Sequence, residues 1–212
     1  MNGIGGNRPG AEFDRPLKLP GDTIIGMLQT VALVELLLSW IAWTMAFLKP
    51  RKQAAGQKQA ATAPASKWGI VLVTIGFALV WMWVRPPGME KSRLSLVVSM
   101  ILGPLSVALA WAAAHRLGKQ WRYVAAVSED HELIQTGPYR WVRHPIYLSM
   151  LGMLMATGAA WTWWPMWVAA VVVFLAGTEI RVRAEDRLLE ERFQDSFRAY
   201  RAHVAAYIPF LR

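Results

Sequence analysis

The sequence predicts an all-α integral membrane protein, and three observations predict it. Of the 212 residues, 55% are hydrophobic and 12 are Trp, which is too apolar for an ordinary soluble domain of this size. The apolar residues gather in runs long enough to cross a roughly 30 Å hydrocarbon core as helices. The formal charge of +9 sits between those runs, a pattern of membrane topology rather than of nucleic-acid binding.

The elements follow in order. Residues 1–22, with Gly3, Gly5, Gly6, Pro9, Pro16 and Pro20 among charges of both signs, have no apolar core of a signal peptide and read as a flexible arm. Their glycines precede no phosphate-binding strand and helix, so they carry no nucleotide meaning. Ile24 to Leu48 is the first span, interrupted by Gln29 and Glu35. Pro50 to Lys67, rich in Lys, Gln, Ala and Pro, has the composition of a mobile solvated loop. Trp68 to Val84 and Leu94 to Ala114 are the next spans. Pro145 to Ala160 and Trp163 to Thr178 are short for spans and nearly contiguous, which predicts a tight helical hairpin with Trp161, Trp163, Trp164 and Pro165 at its tip in the aromatic belt. Leu189, Phe193, Phe197, Tyr200 and Val204 then recur at helical spacing, predicting an amphipathic helix that stops near Ile208-Pro209.

This division gives an arm (1–22), three N-terminal spans (23–115, with loop 50–67) and a C-terminal core (116–212, with hairpin 145–178). With the N-terminus outside, the segments after the first, third and fifth spans hold most of the 23 Lys and Arg. The positive-inside rule then favours five spans with the C-terminus in the cytoplasm. No Cys is present, which excludes a disulfide, a thiolate nucleophile and Cys-containing zinc sites.

Gly137 to Tyr147 (GPYRWVRHPIY) puts charge and hydrogen-bonding groups at a membrane edge. Pro145 marks a helix start and disfavours helix for His144. The free amides and dipole of that first turn attract anions, and the His ring adds a donor or acceptor. The same Arg and Tyr residues also suit anchoring among lipid headgroups. The residues alone leave both readings open. Because a hairpin returns the chain to the face it left, the segment Arg181 to Asp186 is expected beside His144. Arg181 and Glu185 share a helix face, which fits an intrahelical ion pair as well as a site. Glu35 and Glu179 are the acids near apolar runs. An intramembrane carboxylate is a functional candidate, and Glu35 has no partner named by the sequence.

In order, the C-terminal half carries His131-Glu132-Leu133-Ile134, Gly137-Pro138-Tyr139, Arg143-His144-Pro145-Ile146-Tyr147, the hairpin, Arg181 with Glu185-Asp186, the Phe193 to Tyr200 helix and Ile208-Pro209. This ordered set resembles the isoprenylcysteine carboxyl methyltransferase (ICMT) family and its phospholipid methyltransferase-like relatives. The resemblance implies S-adenosylmethionine as cofactor, held without a Rossmann domain. It places His131, Leu133 and Ile134 against the cofactor from the loop, and Tyr139, His144, Pro145, Ile146 and Tyr147 around its amino-acid and sulfonium parts. Glu185 binds the cofactor from the opposite wall, and Arg181 faces the methyl-accepting group of the substrate. The chain departs from the family where two Glu are usual (Glu185-Asp186), where Gly usually follows the Phe (Phe193-Gln194), and at Leu148-Ser149, where Gly is common nearby.

The function so implied is methyl transfer to a lipid-like acceptor that enters from the bilayer, most simply a prenylated-cysteine-type carboxylate. Methylation of a phospholipid amine is the alternative within the class. An NADPH-dependent membrane reductase, and a non-enzymatic membrane protein binding anionic lipid or a partner, are readings from other classes. The oligomeric state has no signal in the sequence.

Overall fold

The computed structural model describes residues 20–48, 66–82, 91–118 and 132–208. Among these the chain is helical: α1 (Pro20–Leu48), α2 (Ser66–Met82), α3 (Arg93–Leu117), a 3-10 turn (Gly137–Arg140), α4 (Pro145–Trp161) and α5 (Trp164–His203). An isolated parallel bridge joins Val142 to Ala205. Most of the expected arm and of the loop 50–67 lies outside the described residues, while Pro20, Gly21 and Asp22, expected in the arm, begin α1. α1, α3 and α5 are long and apolar enough to cross a membrane, and α2 and α4 are shorter apolar helices of 17 residues each. Val31, Val34, Leu37, Leu38, Ile41 and Met45 point away from the protein along α1. A continuous outward apolar face of this kind fits a lipid-facing helix.

The expected hairpin forms as a sharp reversal at Thr162 and Trp163, but it is not a tight pair of helices. α5 packs mainly on α2, and α4 mainly on α3. Small residues decide this, because they let helix backbones approach. A Cβ on Gly69 would lie 2.8 Å from the Gly177 carbonyl, and one on Gly76 would lie 2.9 Å from Phe174 Cβ. Val73, Val80, Leu154, Ala170 and Phe174 fill the core beside that crossing. On the other side a Cβ on Gly152 would meet Ser106 Oγ at 2.1 Å, and Leu36, Met153, Ala156 and Ala160 form a second cluster.

The end of α4 leaves carbonyls that need donors. Lys91 Nζ donates to the Gly158 and Thr162 carbonyls (3.0 and 2.9 Å), and Ser95 Oγ to that of Ala159 (2.6 Å). Thr162 Oγ1 in turn donates to the Val80 carbonyl at 2.8 Å, tying the reversal to α2. Glu35 faces α3. Ser39 Oγ donates to its Oε1 at 2.5 Å, and a Cβ on Gly103 would lie 3.0 Å from the same oxygen.

α5 shifts the boundary of the amphipathic helix expected after the hairpin. The last apolar run continues as one helix to Phe193, non-helical backbone at Gln194 (φ 44°, ψ −117°) breaks it, and a second helical segment carrying Phe197 and Tyr200 follows to His203. The helix ends at His203, short of Ile208-Pro209. Val204 is extended, and the Ala205 and Ala206 carbonyls accept from the backbone N–H groups of Arg143 and His144, each at 2.8 Å.

Candidate active site

The 3-10 turn begins at Gly137, whose φ of +63° is a left-handed conformation that glycine adopts without steric cost. A Cβ there would also press on Arg116, 3.0 Å from its Nε. The turn delivers His144 to the N-cap of α4, with Pro145 at the first helical position, where a missing N–H costs nothing. His144, Pro145 and Tyr147 are buried there.

α5 brings the opposite wall. Four residues apart, Arg181 and Glu185 lie on one helix face, and Asp186 follows. Tyr147 joins the walls. Its hydroxyl donates to Glu185 Oε1 at 2.5 Å and accepts from Arg181 Nε at 2.6 Å, while the guanidinium carbon lies 5.4 Å from the Tyr147 ring centroid. Arg181 also reaches Glu185 Oε1 from a terminal nitrogen at 3.4 Å and donates to Ser66 Oγ of α2, again at 3.4 Å.

His144 faces two carboxylates. Its Nδ1 is 3.3 Å from Glu185 Oε2 and its Nε2 is 2.9 Å from Asp186 Oδ1. Burial pushes the imidazole pKa down, but the hydrogen bonds to Asp186 and Glu185, with their charges, outweigh it and raise the value to about 9. At neutral pH the ring is an imidazolium with both nitrogens donating. Burial pushes Glu185 up, and His144, Arg181 and Tyr147 hold it below the ordinary carboxylate value. Asp186 is held low in the same way, by His144 and Arg143 against burial. Side-chain exposure separates the two acids: Glu185 is 24% exposed and Asp186 9%. Glu185 is therefore the more exposed of the two carboxylates.

Of the residues expected at the site, Tyr139, His144, Pro145, Tyr147, Arg181 and Glu185 are drawn into this region. Tyr139 enters through its carbonyl, which accepts from Tyr200 Oη at 2.5 Å. Leu133 and Ile134 are half-buried in the irregular segment before the turn. Ile146 is half-buried, and its carbonyl accepts from Ser149 Oγ at 2.7 Å. His131 lies outside the described residues. Asp186 and Tyr200 are drawn in as well, though the sequence marks Asp186 only as a departure from the usual second Glu and Tyr200 only as a residue of the amphipathic helix. Their signal was present, since an acid beside a matched Glu and a Tyr at a buried helical position were both visible. Their partners were not.

The family model described as isoprenylcysteine carboxyl methyltransferase (ICMT) family matches residues 97–191. The chain resembles the ICMT family. The match covers α3 from Val97, the turn, α4 and α5 as far as Glu191, so it includes Arg143, His144, Tyr147, Arg181, Glu185 and Asp186 but neither Ser66 nor Tyr200. Among curated proteins the chain is similar to the Protein-S-isoprenylcysteine O-methyltransferase of Saccharomyces cerevisiae (strain ATCC 204508 / S288c), at 27% identity over 122 residues. That alignment takes in 57% of this chain and 51% of the relative. The chain thus spans about half the length of that ICMT relative. α1, α2 and the segment from 192 onward lie outside the family match.

Proposed function

We propose that this chain is an S-adenosylmethionine-dependent membrane methyltransferase that methylates the carboxylate of a prenylated-cysteine-type lipid acceptor. The observation that carries this reading is the meeting of Tyr147, Arg181, Glu185 and His144 at one end of the bundle, inside the segment that resembles the ICMT family.

The donor set suits the cofactor. S-adenosylmethionine carries an ammonium and a sulfonium, and Glu185 is a partly exposed carboxylate. It also carries a carboxylate, and the N-terminal turn of α4 offers amides and dipole for an anion. Glu185 and the His144–Tyr147 turn hold it in this reading, with Leu133, Ile134 and Tyr139 completing the wall from the preceding segment and His131 from beyond the described residues. When bound, it supplies an electrophilic methyl group whose bond to sulfur breaks as the bond to the acceptor oxygen forms, the electron pair leaving with sulfur.

The residues of the chain position and desolvate. Arg181 steers the acceptor carboxylate by a charge-assisted contact, and its burial excludes competing water. Tyr147 fixes Arg181 and Glu185 relative to each other. A carboxylate acceptor, with an ordinary pKa of about 4, is already ionised and needs no base. An amine acceptor must lose a proton, yet His144 is held protonated and both Glu185 and Asp186 are weak bases. This favours the carboxylate over the phospholipid amine.

Calorimetry with S-adenosylhomocysteine and a labelled-methyl assay on both acceptors test the reading. Expected are binding and transfer to a farnesylcysteine-type carboxylate, with transfer lost in Arg181→Ala while S-adenosylhomocysteine still binds. No binding by the wild-type protein sinks the methyltransferase reading. Transfer to phosphatidylethanolamine alone sinks the choice of acceptor.

A further inference from the structure

We propose that Arg143, Asp186 and Tyr200 are positioning residues through which the segment 200–206, beyond the break at Gln194, sets the place of the His144 ring. The inference deepens the methyltransferase reading and rests on it for the identity of the ligand, while the linkage itself is read from contacts.

The linkage runs through buried groups. Both nitrogens of the His144 ring face carboxylates, at 3.3 Å (Glu185) and 2.9 Å (Asp186), so the ring cannot turn without breaking one contact. Glu185 is also the more exposed carboxylate, and Tyr147 and Arg181 bear on it from α4 and α5. Asp186 has no such second role. Its other oxygen, Oδ2, accepts from an Arg143 terminal nitrogen at 2.9 Å, and both side chains are under 10% exposed. The other terminal nitrogen of Arg143 donates to the Val204 carbonyl and, at 3.4 Å, to that of Arg201. One planar guanidinium thus grips the acid that holds His144 and the backbone that follows α5.

The backbone repeats the connection. Arg143 N–H and His144 N–H donate to the Ala205 and Ala206 carbonyls. Tyr200, itself buried, donates to the Tyr139 carbonyl in the turn that leads to His144. Phe197 is fully buried beside it. A buried ion pair is a weak source of net stability, because desolvating both charges offsets their attraction. What this one accomplishes is orientation. The guanidinium fork contacts two groups in fixed geometry at once, which a lysine ammonium on a flexible stem does not reproduce.

The segment 200–206 lies outside the family match, which ends at 191. Among the described residues it reaches His144 through the His144 backbone N–H, through Arg143 and its pairing with Asp186, and through the Tyr139 carbonyl. A variant in this linkage therefore acts on the cofactor wall without removing a group that contacts ligand.

The test uses the full-length protein with its four His labelled, the His144 resonance being assigned by its loss in His144→Gln. Asp186→Asn calibrates the response, moving the His144 midpoint from about 9 toward its ordinary 6.5. Arg143→Lys keeps the positive charge but not the fork. It is expected to move the midpoint in the same direction and to weaken S-adenosylhomocysteine binding about fivefold, the scale of one lost hydrogen bond. Tyr200→Phe is expected to do the same to a smaller extent. Arg198→Ala, on the exposed surface just before that segment, leaves both readouts at wild-type values.

An Arg143→Lys protein whose His144 midpoint and binding match wild type overturns the proposal. Where that variant does not fold, Tyr200→Phe decides by the same two readouts. Failure of the wild-type protein to bind S-adenosylhomocysteine removes the methyltransferase reading instead, and the His144 midpoint alone then decides the linkage.

Discussion

His144 between two carboxylates makes the stability of this protein depend on pH in a calculable direction. Its pKa is raised from 6.5 to about 9 on folding, so its stabilising contribution is complete below 6.5 and is lost as pH rises through 9. Glu185 and Asp186 are lowered from 4.5 and 3.8, so their contribution is present above those values and is lost as pH falls below them. Thermal unfolding in detergent is therefore expected to peak between pH 4.5 and 6.5 and to decline toward 9. Asp186→Asn is expected to flatten the alkaline decline, and an unchanged slope would contradict the geometry. Gln194 carries a second residue-scale consequence. Its φ of 44° with ψ of −117° is a conformation that suits glycine. Gln194→Gly is expected to raise stability by about 1 kcal/mol by relieving that strain, read as a higher midpoint in thermal denaturation.

At the scale of the elements, the crossing of α2 and α5 decides where Arg181 lies. A Cβ on Gly69 would fall 2.5 Å from Arg181 Cγ and 2.8 Å from the Gly177 carbonyl. Neither neighbour is the free end of a side chain, so the helices must part. Gly69→Ala is expected to cost about 1–3 kcal/mol, the range for overpacking, and to lower methyl transfer by moving Arg181 away from Tyr147. Gly26→Ala, with nothing within 4 Å, is the matched control and is expected to raise stability by up to about 1 kcal/mol through helix propensity and to leave methyl transfer unchanged. The sequence carried part of this. The apolar runs, the reversal and the meeting of the His144 and Glu185 segments were legible, because hydrophobic length and a hairpin's return path determine them. Two features were not. The pairing of α5 with α2 depends on Gly69, Gly76 and Gly177 meeting across a long sequence separation, which no local pattern reveals. The run of α5 through Thr178 was hidden, and the break at Gln194 was signalled only by the Gly usual there in the family the chain resembles, since Gln itself is an ordinary helix former.

For the whole molecule, the partition of polar groups is the main legible result. The Asp186–Arg143–Val204 linkage lay beyond sequence reading because its partners sit on different elements and one of them is a backbone carbonyl. The orientation proposed from the positive-inside rule puts the site in the cytoplasm, and the absence of Cys makes it directly measurable. In intact cells a membrane-impermeant maleimide is expected to label Trp164→Cys at the exposed reversal. His203→Cys, exposed at the end of α5, is expected to label only after permeabilisation. The opposite pattern inverts the topology.

From Trp164 to Phe193, α5 is an unbroken rod of about 45 Å at 1.5 Å per residue. Its first half is apolar, and its second half carries Arg181 and Glu185. A stiff rod cannot bend between its halves, so any tilt imposed on the lipid-embedded part swings the charged part through the same angle. Hydrophobic mismatch is accommodated in part by helix tilt, within what packing against neighbouring helices allows, so the packing of α5 on α2 governs how far bilayer thickness reaches the distance between Glu185 and the start of α4.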